Sequence, residues 1–157
     1  MPLKEDYNRR QKLIELIEKP LWTITGKCAK DTLIPDLVSI CKVNEQHQFI
    51  IFDDKYYNAH LEKGIVPTGQ PGIESITKQY LYQLAYQRFI EDHKFSSVKN
   101  CFLLPTENNE IEDKGEVRME MLSNLGLQDI KIRLIPATMA YDLYLSGSKM
   151  DMERLDL

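Results

Sequence analysis

The chain has 157 residues, enough for one domain with a real core and short for two. Its 43% hydrophobic and 28% charged residues are those of an ordinary globular protein, and no run approaches the roughly 18 apolar residues of a membrane span. The net charge of −4 speaks against a protein that grips DNA unaided; a chain of this balance needs a local basic cleft, weak binding or a partner that supplies affinity.

Tyr7 to Glu18 predicts a helix, with Leu13, Ile14, Leu16 and Ile17 as its apolar side and Lys19-Pro20 as its end. This opening stretch lacks the apolar core of a secretory signal. Leu21 to Asp31 reads as irregular, with Trp22 as an anchor into the core. Thr32–Val43 and Gln48–Tyr57 predict strands, being rich in Ile, Val, Phe and Tyr. Asn58–Gly72 is a loop because of Gly64, Pro67, Gly69, Pro71 and Gly72.

Ile73–His93 is the clearest helix, with Ile73, Ile76, Tyr80, Leu81, Leu84, Ala85 and Phe89 at helical spacing. Ser97–Leu104 predicts a buried strand stopped by Pro105, and Thr106–Glu116 a charged loop. Gly115–Leu122 alternates, with Val117, Met119 and Met121 on one face, and predicts a strand. Ile130–Ile135 predicts another strand and Ala137–Leu145 the last helix. The order implies an α/β fold, a mixed central β-sheet flanked by α-helices. One domain is expected over residues 1–157, with a core of about 7–145 and a C-terminal tail of 146–157.

Cys28, Cys41 and Cys101 show no C-x-x-C spacing, which suggests reduced, packed thiols and a cytoplasmic protein. His47, His60 and His93 have no partner spacing and read as surface residues.

The feature that asks for an explanation is acid within two greasy segments. Alternation puts Asp53 and Lys55 on one face of the second strand and Asp54 on the other. A hairpin centred on Asn44-Glu45 sets Asp36 opposite Asp53, with β-carbons about 4.5–5.5 Å apart. Paired carboxylates at the end of apolar strands repel each other and lose hydration, so a cation is called for. Mg²⁺ fits two aspartates without nearby His or Cys, with Mn²⁺ able to substitute, and Lys55 could hold a water or a phosphate oxygen. Residue types alone leave a surface salt bridge beside a turn open, and they do not name a reaction.

Pro35-Asp36 followed by Asp53-x-Lys55 matches the PD-(D/E)xK nuclease signature. With TLIPDLV, FIIFDDKYYN, SITKQYLYQLAYQ, KGEVRMEML and IPATMAYDLYL, the chain resembles the LlaJI-type restriction endonuclease family from about Trp22 to Leu145. The resemblance implies a restriction-endonuclease-like sheet and a Mg²⁺-dependent DNA endonuclease of a restriction or phage-defence system. It implies Asp36, Asp53 and the backbone carbonyl of Asp54 as metal ligands and Lys55 as the residue that positions the attacking water. It suggests a glutamate from the preceding helix, Glu18 before Glu15, and a polar residue on the following helix, Gln79 first, with Lys78 and Gln83 as further nucleic-acid contacts. Tyr56 and Tyr57 are expected to pack at the core or edge or to shape the cleft, and Tyr80, Tyr82 and Tyr86 to pack. The chain has no P-loop, helix-turn-helix or zinc finger, so recognition of double-stranded DNA is expected from a nucleotide-hydrolysing partner subunit, with homodimerisation during cleavage and no membrane. The competing expectation is an inactive nuclease-like domain that serves as a DNA-binding or assembly module.

Overall fold

The computed structural model describes residues 12–157. A small hairpin comes first, β1 (Leu21–Trp22) with β2 (Lys27–Cys28). The main sheet is built from β3 (Leu37–Val43), β4 (Gln46–Asp54), β5 (Ser97–Thr106), β6 (Glu112–Val117) and β7 (Ile130–Pro136). Among the described residues the helices are α1 (Ile73–Asp92), α2 (Glu120–Ser123) and α3 (Ala137–Ser146). The spatial order is β3-β4-β5-β7-β6. β4, β5 and β7 run parallel, and β3 and β6 close the edges antiparallel. This is the expected mixed sheet with helices on its faces.

The β3–β4 hairpin turns on Asn44-Glu45, both at positive φ (48° and 66°), which gives the two-residue turn whose twist suits paired strands. Its register runs from Val43↔Gln46 to Leu37↔Phe52. One step further out, Asp36 falls beside Asp53, as the hairpin reading expected. β4 is covered on both sides. Phe49 and Ile51 pack with Ile17, Tyr82 and Tyr86, while Ile50 and Phe52 pack with Cys101 and Leu155. β3, by contrast, is an edge strand, and its Leu37 stays exposed.

Several sequence expectations need correction, among them the irregular reading of Leu21 to Asp31, which holds the β1–β2 hairpin. Trp22 is 64% exposed and anchors nothing in the core, because its hairpin pairs only with itself. The first helix is reduced, among the described residues, to a 3₁₀ turn at Leu13–Leu16; Ile17 is already extended (φ −80°, ψ 124°), and Pro20 biases Lys19 the same way. Residues 7–11 of that expected helix lie outside the described residues. Pro105 does not stop β5. β4's ladder ends at Leu103, so the side on which Pro105 lacks its N–H has no strand to bond.

A further correction concerns the charged loop and the strand after it. Glu112–Val117 is itself the edge strand, bulged between Asp113 and Glu116 with Gly115 at φ 80°. Its charges disguise it because strand propensity disfavours them, whereas a solvent-facing edge tolerates them. The chain then turns into α2: the Met119 amide donates to the Tyr80 hydroxyl at 3.1 Å, and the Met119 carbonyl accepts from Leu122 and Ser123.

The last residues pack rather than trail. Leu155 is 1% exposed against Ile50 and Phe52. Buried Arg133 on β7 donates to the carbonyls of Leu155 (2.6 Å) and Asp156 (2.5 Å) and pairs with Asp113 on β6 at 2.6 Å. One arginine therefore ties the C-terminal segment and the edge strand to the sheet.

Candidate active site

The site forms where β3 begins and β4 ends. Asp53 is 4% exposed, since it continues the α1-facing side of Phe49 and Ile51. Lys55 returns to the same side, and its ammonium lies 2.6 Å from Asp53 Oδ2. The Lys55 amide donates to the Leu103 carbonyl at 2.9 Å, so the lysine's backbone is still held by the sheet after β4 has ended. Asp36 Oδ2 accepts the amide of Asp54 at 3.1 Å. Strand alternation directs the Asp54 carbonyl to the side of its amide, toward Asp36.

Electrostatics follow from this crowding. Burial pushes the Asp53 carboxyl up to about 6; the Lys55 ammonium pulls against it, and the neighbouring Asp36 carboxylate pushes the same way as burial. Burial draws the Lys55 ammonium down, but its bond to Asp53 and the charges of Asp53 and Asp36 outweigh this and raise it. A buried acid beside a second acid is only partly neutralised by one lysine. Two carboxylates and a nearby carbonyl are hard oxygen donors, which suit Mg²⁺ or Mn²⁺ with water filling the remaining positions. Among the described residues no group of three or more His, Cys, Asp or Glu converges.

Helix α1 buttresses both carboxylate-bearing segments. Gln79 is 0% exposed, and its Nε2 donates to the Ile51 carbonyl at 2.8 Å, two residues before Asp53. Its Oε1 is buried without a partner. The Tyr82 hydroxyl donates to the Ile34 carbonyl at 3.0 Å, two residues before Asp36. The sequence suggested packing for Tyr82, with stacking on bases as the alternative, and not this bond. The available signal was its i, i+3 spacing from Gln79, which puts both on one helix face.

The remaining expected residues are dispersed. Gln83 is buried, and its Oε1 accepts Asn100 Nδ2 (3.0 Å) and the Gln128 amide (2.8 Å), so it knits α1 to β5 instead of facing a ligand. Lys78 is exposed and pairs with Glu74 at 2.7 Å. Glu18 is exposed, its backbone carbonyl taken by the Thr32 hydroxyl at 2.6 Å, while Glu15 turns back to the Lys12 amide at 3.2 Å. Neither glutamate joins the two aspartates. Tyr56 is exposed rather than packed, and the Asp54 carboxylate beside it raises its hydroxyl pKa. On the α3 side of the sheet a groove of about 770 Å³ runs past Asp36, Asp54, Tyr56, Tyr141 and Tyr144.

The family model described as LlaJI restriction endonuclease matches residues 4–143, nearly the whole chain and all of the site. Among curated proteins, the chain is similar to the Type II restriction enzyme BsuMI component YdjA of Bacillus subtilis (strain 168), at 28% identity over 158 residues and 97% of this chain. It spans only 32% of that relative's length. No solved structure matches. With the family match over residues 4–143, the chain belongs to the LlaJI restriction endonuclease family.

Proposed function

We propose that this chain is the nuclease part of a restriction system, hydrolysing phosphodiester bonds of double-stranded DNA with Mg²⁺. The observation that carries the reading is the convergence of Asp36, Asp53 and Lys55 at the mouth of one rigid hairpin. Asp36, Asp53 and the Asp54 carbonyl would hold the ion, which supplies Lewis acidity toward a phosphate oxygen. Lys55 orients the attacking water and donates to the phosphate as charge builds on it. The water oxygen forms a new bond to phosphorus and gives up a proton to bulk water, the opposite P–O bond breaks, and the leaving oxygen takes up a proton. Gln79 and Tyr82 keep the two carboxylates in place through the backbone.

Sequence recognition is assigned to other polypeptide. The net charge of −4, the dispersal of Gln83 and Lys78, and the relative's being a component of a restriction enzyme all support a separate recognition subunit; nucleotide hydrolysis by that subunit is what the family resemblance implies. Double-strand cutting needs two centres, met by pairing of two copies on DNA. Plasmid cleavage by the wild-type chain and by Asp53→Ala, each with the system's other components and with Mg²⁺ or EDTA, tests the reading. Equal cleavage by both proteins, or undiminished cleavage in EDTA, overturns it.

A further inference from the structure

The β1–β2 hairpin is the part of the molecule that the proposed chemistry leaves unused. Leu21, Trp22 and Ile24 are all exposed, Ile24 at 95%. The tip is nonetheless ordered. The Trp22 carbonyl accepts the amides of Thr25 (3.1 Å) and Gly26 (2.9 Å) and the Thr25 hydroxyl (3.0 Å), with Gly26 at φ 64°. The Ala29 amide closes the base on the Pro20 carbonyl at 2.8 Å. A held turn that presents Trp and Ile to solvent is a surface made for contact.

Charge identifies the partner. Residues 19–30 contain Lys19, Lys27 and Lys30 and no carboxylate, in a chain of net charge −4. All three lysines are exposed, and among the described residues none forms an ion pair. Trp22 is the cross-strand partner of Lys27, so the two side chains leave the same face of the hairpin. Lysines that neutralise phosphates, with an apolar tip against sugars and base edges, form the chemistry of a DNA groove contact. The distance is suitable too. Asp36 lies six positions after Lys30, a span of at most about 20 Å, so a duplex cut at Asp36 passes within reach of the hairpin.

We infer that the β1–β2 hairpin is a DNA-anchoring element, with Lys19, Lys27 and Lys30 on the phosphate backbone and Trp22 and Ile24 in the groove. This rests on the nuclease reading for its substrate, but binding without cleavage tests it separately. Trp22 is the single tryptophan of the chain, so its fluorescence reports the hairpin alone. The experiment titrates the full chain with a dye-labelled 30-mer duplex in EDTA at low salt, following dye anisotropy for binding and tryptophan emission for the hairpin. Binding is expected to quench Trp22. The Lys27→Ala/Lys30→Ala double variant is expected to lose about tenfold in affinity and to flatten the dependence of log affinity on log salt by about two. Trp22→Phe and Ile24→Ser test the apolar tip by anisotropy, with an expected loss of about three- to tenfold. Lys149→Ala, outside the hairpin, serves as a control for general charge loss.

Binding with unchanged Trp22 emission and unchanged affinity in the lysine double variant overturns the assignment while leaving the nuclease reading intact. Failure of the chain to bind duplex at any salt overturns it as well, and cleavage with the partner components then decides the nuclease reading independently. Quenching of Trp22 by another component of the system, and not by DNA, shows a protein-docking hairpin and likewise overturns it.

Discussion

The ammonium of Lys55 lies 2.6 Å from Oδ2 of Asp53, and the two residues share one face of the β4 end. That contact gives a buried carboxylate its one compensating charge. Removing the lysine by Lys55→Ala leaves Asp53 beside Asp36 without it. Cleavage is expected to fall by about 100-fold or more, the order of losing one positioned electrostatic donor, with duplex affinity in EDTA retained within about threefold, since the hairpin lysines Lys19, Lys27 and Lys30 are expected to carry binding. Single-turnover cleavage beside anisotropy reads both.

Asp53 predicts a pH-dependent stability. Its carboxyl titrates near 6 when folded, against an ordinary value of 3.8. A raised acid pKa means that the fold disfavours the ionised form. The penalty is absent below the unfolded pKa, grows as pH rises through the window between the two values, and is complete above about 6. Asp53→Asn removes the charge and keeps an oxygen for Lys55. In EDTA the variant is expected to melt a few degrees above wild type at pH 7.5, since about 1 kcal/mol moves a domain of this size by about 2–4 °C. At pH 4 the gap should shrink or vanish. A variant that melts below wild type at pH 7.5 would show that Lys55 fully offsets the burial.

Metal binding makes a third expectation. Millimolar Mg²⁺ or Mn²⁺ is expected to raise the melting temperature of the wild-type chain, because an ion bound only by the folded state stabilises it by mass action. The Asp36→Asn/Asp53→Asn pair should show no such rise. Calorimetric titration with Mn²⁺ measures the same thing directly, and equal binding by both proteins would place the ion elsewhere.

Tyr82 is expected to act on Asp36 through the backbone. Tyr82→Phe deletes the hydroxyl that donates to the Ile34 carbonyl and costs about 1 kcal/mol of stability. Asp36 then loses its tether on the irregular segment before β3, so Mg²⁺ affinity should fall several-fold while the affinity for duplex in EDTA stays level. Unchanged Mg²⁺ affinity would reduce Tyr82 to packing.

Arg133→Met tests the C-terminal tie. The substitution frees the carbonyls of Leu155 and Asp156 and leaves Asp113 without its partner. A loss of about 1–3 kcal/mol is expected from the carbonyls left unpaired, since Asp113 is 60% exposed and regains water when its partner goes. Carboxypeptidase trimming of the last residues, slow in the wild type, should become rapid before global unfolding.

Local pattern was enough for much of this molecule. The alternation of Phe49, Ile51 and Asp53, the Asn44-Glu45 turn and the long periodicity of α1 each depend on near neighbours. They placed β3, β4, α1 and the Asp36–Asp53 juxtaposition in the sequence itself, because a tight hairpin leaves almost no freedom of register. The tertiary structure decided matters that depend on distant neighbours. Glu112–Val117 became a strand because β7 offered it a ladder, against the propensity of its charges. Gln79 and Gln83 were buried rather than presented, because their amides meet the Ile51 carbonyl, Asn100 and Gln128 across the sheet. Trp22 looked like a core residue from its size alone. It stands in solvent because, among the described residues, no element of the sheet comes to cover its hairpin, and burial is a property of what arrives from elsewhere in the fold.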